Sequence, residues 1–233
     1  RGYCVSWVSN GVIASVDLNQ MKTININPGY FFPHGCALNG TDDTLYVTGQ
    51  SGNYIMKIDT SLATTQTLSL QNGLPPSTAS SLNPHEILLS PDKKSFYVSC
   101  EDANDVRVFS IASQSVTNII NCGTEPEEMA ISVSKNLLFV SNVKDAASFP
   151  GFYGSVSVID LTTYTEVKRL QVGFMPHGIA VDESKGLVYV ASRNVLSSGP
   201  VPHHSSACTG RNGFVSYIDL NTLTVKSKRT EIS

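Results

Sequence analysis

Charge is scarce in this chain. Only 15% of its 233 residues are charged, with Lys and Arg together at 16, Asp and Glu at 19, and a net charge of −3. There is no Lys/Arg run or basic patch to neutralise phosphates, which argues against a nucleic-acid partner. Long apolar runs are missing too. No stretch approaches the ~20 residues that cross a bilayer as a helix, and no stretch of the sequence reads as a signal peptide. A sustained 3.6-residue apolar period is equally absent, so almost no helix is expected. Lysine is sparse while Ser, Thr and Asn are abundant, a balance that leans toward an exported protein. Cysteine numbers 5, an odd count, so at least one thiol is unpaired or pairs outside the chain.

What the sequence does have is a repeat. Prolines at Pro33, Pro84, Pro126 and Pro176, spaced by 51, 42 and 50 residues, each open a unit. An apolar run follows each proline, as in Gly178-Ile179-Ala180-Val181, and then a turn of Asn, Asp, Ser, Lys and Gly. A second run follows: Leu45-Tyr46-Val47-Thr48, Phe96-Tyr97-Val98-Ser99, Leu138-Phe139-Val140-Ser141 and Val188-Tyr189-Val190-Ala191. A third run ends on Ile-Asp in three of the four units (Asp59, Asp160, Asp219), and a fourth alternates, as in Thr65-Gln66-Thr67-Leu68-Ser69-Leu70. Four short β-rich runs per unit, repeating at roughly 40–50 residues, predict the four-stranded blade of an all-β propeller.

The chain begins within a unit. Gly2–Trp7, Val12–Asp17 and Lys22–Ile26 match second, third and fourth strands. The expectation is one β-propeller domain over 1–233, with one three-stranded and four full blades at about 1–28, 29–73, 74–123, 124–173 and 174–233. Since propellers carry roughly 4–8 blades, these form either a five-bladed ring with one short blade or part of a larger, for example seven-bladed, ring. The second arrangement is preferred.

Pro176-His177-Gly178-Ile179-Ala180-Val181-Asp182, then Leu187-Val188-Tyr189-Val190-Ala191-Ser192, then Val215-Ser216-Tyr217-Ile218-Asp219, resembles the bacterial YVTN-type β-propeller repeat. The likeness covers essentially the whole chain. It implies a periplasmic, secreted or cell-surface bacterial protein and functions ranging from binding and adhesion to relatives of lactone-hydrolysing propellers. The family carries no single catalytic motif, and fold alone does not settle function.

Alternating strand direction places the residues after each proline, His34, His85, Glu127 and His177, on one rim with the loops that join second to third strands. Two of those loops are long, 142–154 and 192–213, and long loops on a rigid scaffold commonly bind. The rim candidates for a protein, glycan or small ligand are therefore His34, His85, Glu127, His177, Phe149, Phe152, Tyr153, His203, His204 and Arg211. The alternative for a histidine after proline is a hydrogen bond to the backbone of a neighbouring blade.

His34, His85, His177, His203, His204 and Cys208 are also of metal-ligating type, and a divalent ion shared between neighbouring blades is one expectation. A lactonase-like hydrolase would need a carboxylate-held metal at the channel, where only Glu127 sits at an inner-strand start. A redox or cofactor-delivery role for His203, His204 and Cys208 is a third option. No nucleophile–base pair stands out, so no catalytic residue is assigned. Cys36 and Cys4 read as small core residues, whereas Cys100, Cys122 and Cys208 leave room for a disulfide. Asn39-Gly40-Thr41 has the form of a glycosylation sequon but reads as an Asn-Gly turn.

Overall fold

The structure is a computed structural model that describes residues 1–30, 32–41, 43–61, 64–71, 81–145, 147–149, 154–194 and 211–232. These residues form nineteen β-strands and, among themselves, no helix. The first sheet holds β1 (Gly2–Val5), β2 (Gly11–Asp17) and β3 (Lys22–Tyr30). The second holds β4 (Pro33–Leu38), β5 (Thr44–Gly49), β6 (Tyr54–Asp59) and β7 (Thr65–Ser69). The third holds β8 (Pro84–Leu89), β9 (Ser95–Cys100), β10 (Asp105–Ser110) and β11 (Ser115–Asn121). The fourth holds β12 (Pro126–Ser132), β13 (Leu137–Asn142), β14 (Ser155–Asp160) and β15 (Thr165–Gln171). The fifth holds β16 (Pro176–Asp182), β17 (Leu187–Asn194), β18 (Arg211–Asp219) and β19 (Thr224–Ile232). Each sheet is an antiparallel meander in chain order, so the expected three-stranded and four full blades are all present.

The chain divides into two compact units, Arg1–Ile120 and Asn121–Ser233. In the first unit, strand alternation sends side chains of the second sheet to opposite faces. Leu45, Val47, Met56 and Ile58 meet Ile13 of the first sheet. Tyr46, Ile55 and Leu68 meet Ile87, Phe96, Val98 and Phe109 of the third, with the Tyr46 and Phe96 rings 4.5 Å apart. In the second unit Phe139, Val156 and Val158 pack on Val188, Val190 and Ile218. The middle strands are covered on both faces, so β9 and β13 are buried after their first residue. The outer strands β7 and β15 keep exposed positions.

The aspartate that recurs at the end of the third strand has a local cause. Oδ1 of Asp17, Asp160 and Asp219 accepts the backbone N–H groups two and three residues on, closing the turn into the fourth strand. These hydrogen bonds hold all three carboxyls below the usual range, Asp219 at about 2. Asn39 is similarly used up within its turn, bonding Thr41, Asp43 and Thr44.

Blade entry is built the same way four times. The residue before each proline has left-handed φ: Phe32 at 46°, Asn83 at 50°, Glu125 at 52° and Met175 at 45°. Left-handed backbone costs an L-residue roughly 1–2 kcal/mol. In return the carbonyls of these residues accept the N–H of Gln50, Glu101, Val143 and Arg193 at the ends of the second strands. Immediately after each proline the ladder slips, between Pro33 and Cys36, Pro84 and Ile87, Pro126 and Met129, and Pro176 and Ile179. This bulge lifts two consecutive residues out of pairing with the second strand.

A hydroxyl on the second strand fills the gap. Thr48 Oγ1 accepts the N–H of Gly35 at 2.7 Å and donates to the His85 carbonyl of the next blade at 2.7 Å. Ser141 Oγ accepts the Glu128 N–H at 3.1 Å and donates to the His177 carbonyl at 2.9 Å. Ser99 Oγ accepts the Glu86 N–H at 3.0 Å. Gly35 sits so close to the next blade that a Cβ there would lie 2.8 Å from the His85 carbonyl oxygen.

One expectation fails. Cys4 is exposed rather than in the core. Tyr3 and Val5 on either side of it pack toward the second sheet, so alternation turns Cys4 to the opposite face of the first blade. Cys36 is half-buried, and burial raises its thiol pKa. Cys100 is a buried thiol whose Sγ lies 3.8 Å from the Val98 carbonyl. Cys208 lies outside the described residues.

Candidate functional site

In the first unit the rings of His34 and His85, the second residues of β4 and β8, lie against each other with centroids 3.7 Å apart and planes tilted by 41°. His85 is 3% exposed, and its Nε2 lies 3.6 Å from Oε1 of Glu101. Glu101 follows β9, and its carboxylate also accepts from Gln50 Nε2 at 3.0 Å and Asn83 Nδ2 at 2.7 Å. On the other side of His34 stands Trp7, whose ring is 6.5 Å from that imidazole and 5.5 Å from Phe32.

In the second unit Glu127 on β12 and His177 on β16 meet, with Oε2 and Nε2 3.3 Å apart. Glu128 Oε1 lies 3.9 Å from Nδ1 of the same ring. Successive residues of a regular strand would point to opposite faces, and the bulge after Pro126 lets both glutamates reach one imidazole. Burial pushes the Glu127 carboxyl up to about 7. Glu128 and Glu125 add to that rise, and Arg193 and Lys144 oppose it. Glu127 thus keeps its proton more readily than an ordinary glutamate, and the facing atoms of the pair are of metal-ligating type.

At two post-proline positions, His85 and His177, the main-chain carbonyl accepts a hydrogen bond from a hydroxyl of the preceding blade. Phe149 is half-buried in the loop between β13 and β14, and its N–H bonds the Asp145 carbonyl at 3.0 Å. Arg211 opens β18 opposite Asn194. Phe152, Tyr153, His203 and His204 lie outside the described residues. Two buried carboxylates elsewhere serve structure. Asp145, 1% exposed, accepts from Ser155 Oγ at 2.5 Å. Asp105 is paired at 3.1 Å with the buried Arg107, which also donates to the Leu70 carbonyl at 2.6 Å.

No family model matches the chain, and no curated protein does. Solved structures do. Hydrazine synthase of Kuenenia stuttgartiensis superposes with a TM-score of 0.66 at 17% identity, over 86% of this chain and 49% of that one. A protein of unknown function from Desulfotomaculum acetoxidans gives 0.63 at 16% identity, over 97% and 65%. A candidate 6-phosphogluconolactonase from Bacteroides uniformis gives 0.70 at 11% identity, over 99% and 68%. The fold is built of β-propeller blades. At these identities the likeness concerns the fold, and the chain spans about half of the hydrazine synthase chain and 65% of the Desulfotomaculum one.

Propeller register also reveals what sequence reading missed. Counting from the paired strands, Trp7, Gln50 and Glu101 occupy one repeat position, just past the second strand of successive blades. The signal was available: the chain has one Trp, and it falls at the position where the next two blades carry Gln and Glu.

Proposed function

We propose that this chain is a ligand-binding propeller scaffold of the YVTN repeat type, exported to the bacterial cell envelope, which offers its blade starts to a small ligand, a glycan or another protein. One observation carries this reading. The post-proline side chains of neighbouring blades meet in pairs, His34 with His85 and Glu127 with His177, while the joint between blades is made by main-chain carbonyls. At His85 and His177 the backbone thus makes a joint of its own, distinct from what the side chain does. The Ser/Thr/Asn-rich, lysine-poor composition supports export.

A second reading, a metal-dependent lactonase-like hydrolase, is favoured by the Glu127–His177 pair and by the fold shared with the Bacteroides candidate lactonase. Hydrolysis of δ-gluconolactone near neutral pH, with Ca²⁺, Mg²⁺, Mn²⁺ or Zn²⁺ added and then chelated, separates the two. The scaffold reading expects no metal-dependent rate above the spontaneous one. A rate abolished by chelator and by both Glu127→Gln and His177→Ala would replace it with the hydrolase.

A further inference from the structure

We infer that the first unit carries a saccharide-binding platform with Trp7 as its stacking surface and Gln50 as its hydroxyl acceptor. The inference deepens the scaffold reading and rests on it. Six residues close a circuit. Trp7 neighbours His34, whose ring lies against that of His85. His85 approaches Glu101, and Glu101 holds the Gln50 amide. The Gln50 backbone N–H donates to the Phe32 carbonyl at 3.0 Å, and the Phe32 ring returns to Trp7. Every link lies within the first unit.

Two features of this circuit point to a ligand. Trp7 is 58% exposed, so a large apolar ring is presented to solvent beside hydrogen-bonding groups. Gln50 is 8% exposed, and its Oε1 has no hydrogen-bond partner among the described residues. Its orientation is fixed chemically. A carboxylate accepts and does not donate, so the amide must turn Nε2 to Glu101, leaving Oε1 as an acceptor. A buried acceptor of this kind calls for a donor. An exposed aromatic face and an unpartnered acceptor joined through one circuit of contacts complement a sugar ring, which has a C–H face and a hydroxyl edge. A cation would want the Glu101 carboxylate, but Gln50, Asn83 and His85 already occupy it.

Because Trp7 is the sole tryptophan, its emission reports the site without a label. The full chain is titrated separately with maltotriose, cellotriose and chitotriose. At least one is expected to shift Trp7 emission saturably. By calorimetry the same sugar should bind at least tenfold more weakly to Trp7→Ala, whose side chain is exposed, and to Gln50→Met, which keeps the length but loses the acceptor. Failure of all three sugars to change the emission overturns the inference, as does unchanged sugar affinity in Trp7→Ala. If tetramethylammonium or a Phe-Phe dipeptide shifts the emission saturably while the sugars do not, the saccharide assignment falls and the scaffold reading stands. Metal-dependent lactone turnover would remove the scaffold reading instead.

Discussion

Replacing Thr48 by Val tests the joint between blades. Valine keeps the shape and removes only the hydroxyl that accepts from Gly35 and donates to the His85 carbonyl, both at 2.7 Å. Thr48 is 0% exposed, so no water replaces the lost partner without rearrangement. Each orphaned buried backbone group costs about 1–3 kcal/mol, and two of them give an expected loss of about 2–6 kcal/mol. Thr48→Ser keeps the hydroxyl and should cost only the methyl, about 1 kcal/mol. The assay is urea unfolding followed by Trp7 fluorescence, which reports on the unit containing Thr48, and by circular dichroism for the whole chain. Because the chain has two units, the transitions are fitted separately, and the comparison is valid if the slope m is unchanged. Equal midpoints for Thr48→Val and Thr48→Ser would refute the argument.

Three further outcomes follow from the same geometry. Glu127 has a folded value of about 7 against 4.5 for an ordinary glutamate, so its contribution favours folding fully below pH 4.5 and is lost as pH climbs through 7. Glu127→Gln should remove a slope of roughly 2–3 kcal/mol between those limits, read from urea midpoints measured from pH 4.5 to 8, and should raise stability at pH 8. Gly35→Ala places a methyl 2.8 Å from the His85 oxygen and 2.9 Å from Glu86 Cα, and an unfolding titration should show a loss of about 1–3 kcal/mol. Arg107→Ala leaves Asp105 buried without its cation and should cost about 3–5 kcal/mol in the same titration, part of it recovered when Asp105 is also made Ala.

The strands were legible because each leaves a local signature. Phe96-Tyr97-Val98-Ser99 has the β-branched and aromatic character of a strand covered on both faces, and the Ile-Asp ending marks a turn whose chemistry is contained in a few consecutive residues. The three-stranded first blade could be counted for the same reason. What escaped depends on partners distant in sequence. Thr48 and Ser141 look like ordinary strand residues until the carbonyl of the next blade is brought to them. The left-handed residue before each proline has no common side chain, since Phe, Asn, Glu and Met all serve. Cys4 was misplaced because strand alternation could be read but the face bare of a neighbouring sheet could not. The meeting of His34 with His85, and of Glu127 with His177, was foreseen only as a shared rim. The contact distances come from the bulges after the prolines, which no local pattern announces.

That bulge separates two jobs normally fused in one residue. Stitching between blades relies on peptide oxygens at positions 85 and 177, atoms that every amino acid brings along. Mutation at positions 85 and 177 can therefore rewrite the chemistry of a blade start while leaving that backbone hydrogen bond to the neighbouring blade in place. Such a scaffold can change what it recognises one blade at a time, and the four blade starts already differ, with Glu127 where its three counterparts carry histidine.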